Sequence, residues 1–352
     1  MKEFNNRISY IDQLKGLAIF LVVIGHIYIF CLKENMASSL FLKWLSYIEM
    51  PLFLMLSGFM AYKKDTPNLF YTLRKKVITL ILPFICVGSI YSFMITNTLN
   101  ALWVEGIYHL GYWFTWTLFY YFVLYYSLDS IIRILNKKFF LTLDLIFWGL
   151  ICLILQLIQK MELVPYSTAV FLSTPLIVRY FPFFIMGVLL KKYTQLFDIV
   201  LSKYMYTIFL CLHVILFIYI DIYFSNFIGA LLLPISGIFV VFFLFKEKGE
   251  QIIGNKIFKS WGSLSLEIYL LHYFFLGLFP ISNYSKFIMG NGLFFECIIV
   301  CSLALIIILL SLGTSWIIKQ SSILEFFMLG NYSNLKSYNI SYIKSKLVFK
   351  RV

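Results

Sequence analysis

Long apolar runs separated by short polar segments dominate the chain. A bilayer core about 30 Å thick takes about 20 apolar residues per helical span, and runs of that length recur along the whole sequence. We predict ten transmembrane helices, at residues 11–31, 41–62, 78–97, 111–128, 140–158, 170–190, 204–220, 224–245, 263–279 and 294–318. The expected fold class is an all-α integral membrane protein, a bundle of about ten transmembrane helices.

Composition agrees with this pattern. Hydrophobic residues make up 61% of the chain, charged residues only 13%, and the mean hydropathy is +0.89, values outside the range of soluble domains. The segments between the runs are too short for a second folded unit. We therefore expect a single transmembrane domain over residues 1–352, with 319–352 as a short basic cytoplasmic tail.

The positive charge falls mainly on one side of the predicted bundle. Alternating the ten spans places 24 of the 29 Lys and Arg residues on the same side, and cytoplasmic loops collect such residues. Both termini are therefore predicted to be cytoplasmic. The net charge of +13 then reflects topology and attraction to anionic lipid headgroups. The expected partner is the lipid bilayer of a cell membrane, a bacterial plasma membrane, with no nucleic acid.

Metal and nucleotide motifs are missing from the sequence. The six cysteines lie in or beside predicted spans, without a CxxC pair or a Cys/His set at zinc spacing. Neither a GxxxxGK[ST] nor a GxGxxG turn occurs. We expect no metal, no bound cofactor and no nucleotide-driven pump.

The first span, in the stretch LKGLAIFLVVIGH, carries two costly polar side chains. Lys15 and His26 are 11 residues apart, which places them on nearly the same helix face, about 16 Å apart along the axis. Asp12 lies three residues before Lys15, close enough to pair with it. Lys15 could instead be an interfacial anchor, and His26 a packing residue. Ionisable residues inside membranes are functional candidates by default.

Glu49 and Arg179 are expected at about the depth of His26. At about 1.5 Å per residue, Glu49 lies about 12 Å and Arg179 about 13 Å below the outer surface, and His26 about 8 Å below it. Pro175 and Pro182 flank Arg179, and helix breaks of this kind commonly line cavities. A shared site is one interpretation, and a structural ion pair between helices is the other.

The ninth span contains a polar stripe. Ser265, Tyr269 and His272 are spaced i, i+4, i+7 and so share one helix face. The stripe either contacts substrate or makes structural hydrogen bonds between helices. His213 has no polar company and is interpreted as a packing residue. His109 precedes the fourth span in an outer loop, where the sequence does not decide its role.

Several of these segments, taken together, resemble the membrane-bound acyltransferase-3 family. The most specific is YIDQLKGLAIFLVVIGH, which is similar to the opening signature of a basic residue, ten intervening residues and a histidine. MPLFLMLSGF, LILPF, YWFTWTLF, FPFFIMGVLL and SLEIYLLH follow in the order of the family. Departures are Lys15 where Arg is more common, Glu49 where relatives often have His, and Lys76 with Thr79 where many have two arginines.

The resemblance implies transfer of an acyl group, usually acetyl from acetyl-CoA, to a sugar of a cell-surface polysaccharide. A sugar hydroxyl needs a base, and His26 suits that role near neutral pH, although it could instead carry the acyl group. Arg179 is the candidate for stabilising the thioester oxyanion, and Glu49 for orienting the imidazole. Acyl-CoA is a co-substrate from the cytoplasm. The predicted residues of its site are Lys15, Arg74, Lys75, Lys76 and Ser57.

The sequence therefore predicts a membrane O-acetyltransferase that modifies a surface or exopolysaccharide sugar or its lipid-linked precursor. Two alternatives remain. A transporter or flippase of a glycan or lipid-linked intermediate would also use broken helices and charges near the midplane. A scaffold subunit with purely structural polar groups would not need His26. Neither the acceptor sugar nor the oligomeric state follows from the sequence.

Overall fold

The computed structural model describes residues 9–35, 38–136, 140–219 and 227–331, and within these ranges the chain is helical without any strand. The helices, in chain order, are α1 Ser9–His26, α2 Leu40–Ala61, α3 Leu69–Lys76, α4 Leu82–Thr96, α5 Ala101–Val104, α6 Trp113–Leu135, α7 Leu141–Lys160, α8 Tyr166–Leu172, α9 Thr174–Lys192, α10 Thr194–Val200, α11 Lys203–Ile218, α12 Phe227–Lys248, α13 Asn255–Ser263, α14 Ser265–Leu271, α15 Tyr273–Leu276, α16 Ser285–Gly290, α17 Leu293–Ile318 and α18 Ser322–Leu329. An all-α fold is thus confirmed.

Seven helical segments in the described ranges are long and apolar enough to cross a membrane. They are Ser9–Leu32, Leu40–Ala61, Leu69–Thr96, Trp113–Leu135, Leu141–Lys160, Thr174–Lys192 and Leu293–Ile318. Each coincides with one of the predicted spans. Helices α10 and α11 meet at a bend of 60° and add an eighth span if they are counted together.

The eighth and ninth predicted spans have a different status. The span at 224–245 begins outside the described residues and continues as α12. The span at 263–279 contains two short helices, α14 and α15, which meet at His272, a residue with helical backbone angles of φ −61° and ψ −30°. The count of ten and the cytoplasmic side of both termini therefore stay predictions.

Two of the spans contain a stretch of wider π-helix. The first, Ile27–Leu32, begins directly after His26, and the second, Val77–Ile81, begins directly after Lys76. Such stretches are rare in proteins, and those that exist are often found at functional sites. Both of these begin beside a residue that the sequence marks as a candidate.

Glycines bring the central helices into backbone contact. A Cβ atom on Gly58 of α2 would lie 1.9 Å from the carbonyl oxygen of Phe184 in α9, and one on Gly187 of α9 equally close to α2. Gly16 of α1 and Gly262 of α13 make the same kind of contact, at 1.9 and 1.7 Å. Small residues permit this approach in membranes, where packing drives helix association. The helix that carries His26 is held on one side by α13, while α9 is held against α2.

The segment after Lys319 differs from the predicted tail. Residues Ser322–Leu329 form α18, which packs beside α4, and Gly330 continues with φ +65° against the backbone of Ile78. The Lys319 Nζ atom lies 2.7 Å from Glu267 Oε1. The sequence shows only a polar segment here, because its apolar residues are too few to form a span. Residues 332–352 lie outside the described residues.

Candidate active site

Two histidines and a tyrosine form a continuous hydrogen-bonded chain where α1 meets the break between α14 and α15. His26 Nδ1 lies 3.0 Å from His272 Nε2, and His26 Nε2 lies 2.8 Å from the Tyr273 hydroxyl. His272 and Tyr273 are buried, whereas His26 is partly exposed. His272 and Tyr273 are consecutive in the chain, and both of their side chains contact the same imidazole.

The backbone fixes the direction of these hydrogen bonds. His272 Nδ1 lies 2.8 Å from the carbonyl oxygen of Tyr269 and 3.1 Å from that of Ile268. Carbonyl oxygens only accept, so His272 Nδ1 carries the hydrogen and, in the neutral ring, His272 Nε2 accepts. His26 Nδ1 must therefore donate to His272, which leaves His26 Nε2 as an acceptor facing the Tyr273 hydroxyl. A neutral imidazole with its free lone pair on a hydroxyl group is the arrangement of a general base.

A left-handed turn of the chain supplies the next acceptor. His109, Leu110 and Gly111 have φ values of +46°, +54° and +102°. The Gly111 carbonyl oxygen accepts from the hydroxyl of Tyr269 at 2.7 Å and lies 3.1 Å from that of Tyr273. A Cβ on Gly111 would lie 2.2 Å from Tyr273 Cζ. Non-glycine residues with positive φ are costly and cluster at functional sites.

Buried His109 holds this turn from the other side. Its Nδ1 donates to the carbonyl of Leu102 at 2.8 Å, and its ring packs among Phe84, Trp103 and Trp116. Burial lowers the pKa of His109 below its ordinary value, although the hydrogen bond to Leu102 acts in the opposite direction. His109 is thus a structural support in the segment between α5 and α6.

Glu49 lies beside the histidine pair without orienting it. The Cβ position of Gly25 is 2.8 Å from Glu49 Oε2, which is buried and has no hydrogen-bond partner among the described residues. Its carboxyl group lies close enough to Tyr273 and Tyr180 for an electrostatic interaction. The hydrogen bond to the His26 ring that the sequence analysis assigned to Glu49 is made by His272 instead. Glu49 therefore places a buried carboxyl group beside α1, next to the residue that precedes His26.

Lysines gather near the opposite end of α1. The ammonium groups of Lys15, Lys63 and Lys75 lie close enough to act on that of Lys76. Lys76 Nζ lies 3.6 Å from the centroid of the Phe122 ring, and among the described residues no carboxylate pairs with it. Arg74 and Lys75 are exposed at the end of α3. Three of the predicted cations, Lys15, Lys75 and Lys76, thus lie near one another, and Lys63, which was not predicted, lies with them.

A neighbouring arginine fixes the loop that holds Lys63. Arg133 donates to the carbonyl oxygens of Lys63 and Lys64 at 2.6 and 2.7 Å and pairs with Asp129 at 2.6 Å. The hydroxyl of Tyr126 donates to the carbonyl of Ala61 at 2.9 Å. These contacts hold the end of α2 against α6. The lysine cluster is therefore supported by a rigid frame.

Ser57 and Gly58 do not form the predicted opening for the pantetheine arm. The hydroxyl of Ser57 donates to the carbonyl of Phe53 within α2 at 2.9 Å, and the space beside Gly58 is filled by the backbone of α9. A small residue in a membrane helix serves close packing as readily as ligand approach. Here it serves packing.

Arg179 lies in a separate cavity of about 730 Å³. The cavity is bordered by α2, α7, α9 and α12, and its lining includes Tyr108, Gln156, Lys160 and Tyr180, but not His26 or Tyr273. Arg179 is exposed, stacks beside the ring of Tyr180 at 5.2 Å and has no carboxylate partner among the described residues. The predicted contact with the thioester oxyanion requires a position beside His26. The structure places the guanidinium in the cavity instead.

The other candidates divide between site and scaffold. Tyr269 and His272 of the predicted stripe both contact the site, and Tyr269 also accepts from the Phe114 backbone at 3.2 Å. His213 accepts from Trp44 Nε1 at 3.0 Å and lies 3.1 Å from the Ser236 hydroxyl, as expected of a packing histidine. Asp12 is buried, and Lys15 is partly exposed. Their mutual pairing stays a prediction.

Tyr273 and Gly111 were not identified from the sequence. Tyr273 directly follows His272 and is therefore rotated by about 100° from the polar stripe in a regular helix. The His26 ring reaches both side chains because it contacts His272 with Nδ1 and Tyr273 with Nε2. The only available signal for Gly111 was a glycine just before an aromatic helix start, which is common in turns. Among the described residues, no group of three or more His, Cys, Asp or Glu could hold a metal ion.

Comparison with known proteins agrees with this architecture. A family model described as an acyltransferase domain matches residues 8–320. No match was found among the curated proteins or among the solved structures compared with the chain. The matched range includes the histidine pair, the lysine cluster and the cavity at Arg179. The chain belongs to the acyltransferase-3 family, and it is a membrane acyltransferase with several apolar spanning helices.

Proposed function

We propose that this protein is an O-acyltransferase that moves an acetyl group from acetyl-CoA to a hydroxyl group of a cell-surface or exopolysaccharide sugar, or of its lipid-linked precursor. His26 is the general base. The observation that carries the proposal is the position of His26 Nε2, which lies 2.8 Å from a hydroxyl oxygen. This is the contact that a base makes with the hydroxyl group it deprotonates.

The surroundings of His26 suit it to accept and return a proton. His272 accepts from His26 Nδ1 and so keeps the lone pair on Nε2. When Nε2 takes a proton the ring becomes positive, and the hydrogen bond that His272 accepts from Nδ1 is strengthened by that charge. Positioned acid–base groups of this kind contribute about 10²- to 10⁴-fold to a rate.

The lysine cluster suits the donor. Coenzyme A carries phosphate groups, and the ammonium groups of Lys15, Lys63 and Lys75 lie close enough to that of Lys76 to act on it. Lysine is a common phosphate ligand. About 16 Å of helix α1 separates Lys15 from His26. The pantetheine arm would span this distance, with the acyl group reaching the histidine pair.

The cavity at Arg179 suits a polar acceptor. An unpaired guanidinium at membrane depth is costly unless water or a polar ligand surrounds it. Amide, phenol and ammonium groups from Gln156, Tyr108 and Lys160 line the same space. Tyr180 lies between this cavity and Glu49. We assign the remote part of the carbohydrate to this cavity and the reacting hydroxyl to His26.

The function can be tested with membranes that contain the full chain. [¹⁴C]Acetyl-CoA is added, and label is followed into polysaccharide and lipid-linked glycan, with mass spectrometry to locate the acetyl ester. His26→Ala should abolish labelling, and His213→Gln, a substitution at a buried histidine outside the site, should retain it. Equal labelling by His26→Ala excludes His26 as the base. Movement of a glycan across the membrane without any acetyl transfer would instead identify a transporter.

A further inference from the structure

The Tyr273 hydroxyl is the only side-chain hydroxyl that the described residues place on His26 Nε2. It lies 2.8 Å from that nitrogen, and His272 in turn orients the ring of His26. A nucleophile within hydrogen-bond reach of a base, with the base held by a third group, is the recurrent arrangement of covalent catalysis. We propose that Tyr273 is a nucleophile that carries the acyl group as an aryl ester between acyl-CoA and the acceptor. This inference rests on the proposed function.

The backbone around Tyr273 holds its hydroxyl group in place. Gly111 approaches the phenol so closely that a Cβ atom would lie 2.2 Å from Tyr273 Cζ. Its carbonyl oxygen lies 3.1 Å from the Tyr273 hydroxyl, and two left-handed residues precede it. A tyrosine that only filled space would not require this turn. The geometry keeps the oxygen between a base and a backbone carbonyl.

The chemical steps balance without another reactant. Tyr273 Oη attacks the thioester carbonyl carbon while its proton passes to His26 Nε2. The carbon–sulfur bond then breaks, and the departing thiolate takes the proton from His26. In the second half, the acceptor hydroxyl attacks the aryl ester and gives its proton to His26. The bond to Tyr273 Oη breaks, and the phenolate takes that proton back.

The energetics of the leaving groups favour this order. A thiol and a phenol ordinarily have pKa values of about 8.5 and 10, so a thioester and an aryl ester are acyl donors of similar strength. A sugar hydroxyl is a far weaker acid, so transfer from the aryl ester to the sugar runs downhill. The tyrosine also separates the two substrates in time. Coenzyme A can therefore leave before the carbohydrate reaches the histidine pair.

Access to the tyrosine is partly closed in this structure. The Tyr273 side chain is only 1% exposed. The ring of Phe30 lies 5.8 Å from that of Tyr273 and 6.0 Å from that of His26, and Phe30 is 42% exposed. Phe30 is therefore the neighbour with room to move. Its displacement opens the tyrosine hydroxyl to the thioester.

Isotope exchange tests the carrier without any acceptor. The purified full chain in detergent receives unlabelled acetyl-CoA and [³H]coenzyme A, and label in acetyl-CoA is measured. An acyl-enzyme makes this exchange reversible, so the wild type should exchange and Tyr273→Phe should lose at least 100-fold in rate. Tyr91→Phe is the matched control, because Tyr91 packs against the Tyr273 ring at 5.7 Å without a hydrogen bond to His26.

A second measurement does not depend on folding of the variant. Wild-type protein is quenched in acid after acetyl-CoA alone, digested, and searched for one acetyl group on the peptide that contains Tyr273. Acetyl on Tyr273 supports the inference. Exchange that persists in Tyr273→Phe and disappears in His26→Ala overturns it in favour of an acyl-histidine. Absence of exchange in a wild type that still acetylates glycan overturns the carrier and leaves the proposed function intact.

Discussion

Replacement of His272 tests whether the base is oriented by its hydrogen bond. His272→Leu keeps a side chain of similar size but removes the acceptor for His26 Nδ1. His272→Gln retains an amide oxygen for His26 and an amide N–H for the backbone carbonyls of Ile268 and Tyr269. The two variants therefore differ chiefly in whether the tautomer of His26 is fixed.

The expected loss follows from the contacts. A buried donor left without its acceptor costs about 1–3 kcal/mol, and 1.36 kcal/mol corresponds to a tenfold change in rate. This gives about a 5- to 150-fold decrease, and a base that loses its productive tautomer altogether loses up to about 10⁴-fold. We expect the kcat of His272→Leu to be about 10²-fold below that of the wild type. The kcat of His272→Gln should be at least tenfold higher than that of His272→Leu.

Initial rates of coenzyme A release in membranes that contain the acceptor separate kcat from KM. The KM for acetyl-CoA should stay within about twofold in both variants, because the lysine cluster lies about 16 Å away along α1. If His272 had only a structural role, both variants would lower the amount of folded protein to the same extent. Equal kcat for Leu and Gln, or a rise in KM alone, would refute an orienting role for His272.

The remaining predictions concern the donor, the acceptor, packing and pH. Lys76→Met should raise the KM for acetyl-CoA about tenfold or more, because a charge-assisted contact contributes about 1.5–3 kcal/mol; an unchanged KM in the release assay contradicts this. Arg179→Gln should raise the KM for the glycan and leave that for acetyl-CoA unchanged, as measured by varying each substrate. Gly58→Ala should lose about 1–3 kcal/mol of stability, whereas Gly149→Ala, where a Cβ has open space, should be neutral or stabilising in thermal unfolding. Burial lowers the pKa of His109 from its ordinary value of 6.5. Below about pH 6.5 the unfolded chain therefore binds a proton that the folded protein does not. The free energy of unfolding consequently decreases as the pH is lowered, by up to about 1.4 kcal/mol per pH unit. Melting temperatures of His109→Gln should show a smaller decrease between pH 7 and pH 5 than those of the wild type, and equal decreases would contradict the assignment.

Hydrophobic length predicted most of the spanning helices. Seven of the ten predicted spans coincide with long apolar helices, because a run of that length has few alternatives in a bilayer. The same reasoning fails at residues 263–279. There the structure has two short helices, α14 and α15, that meet at His272, and hydropathy does not predict where a helix is divided.

Helical periodicity predicted part of the site. The face shared by Lys15 and His26, and the stripe of Tyr269 and His272, follow from 3.6 residues per turn. Depth alone was a weaker guide. Arg179 and Glu49 were expected near His26 because all three lie at a similar height, but depth says nothing about position within the membrane plane. Arg179 accordingly lies in another cavity, while Glu49 lies beside Gly25.

The position of Glu49 illustrates how the histidine pair is organised. Its Oε2 atom is buried and has no hydrogen-bond partner among the described residues, so Glu49 does not orient the base. In this chain His272 orients His26, and the carbonyl oxygens of Ile268 and Tyr269 fix His272. Backbone carbonyls are present whatever the side chains are, so the direction of proton transfer at His26 depends on the path of the chain at the α14–α15 break. Glu49 is therefore not needed to orient an imidazole that His272 already holds.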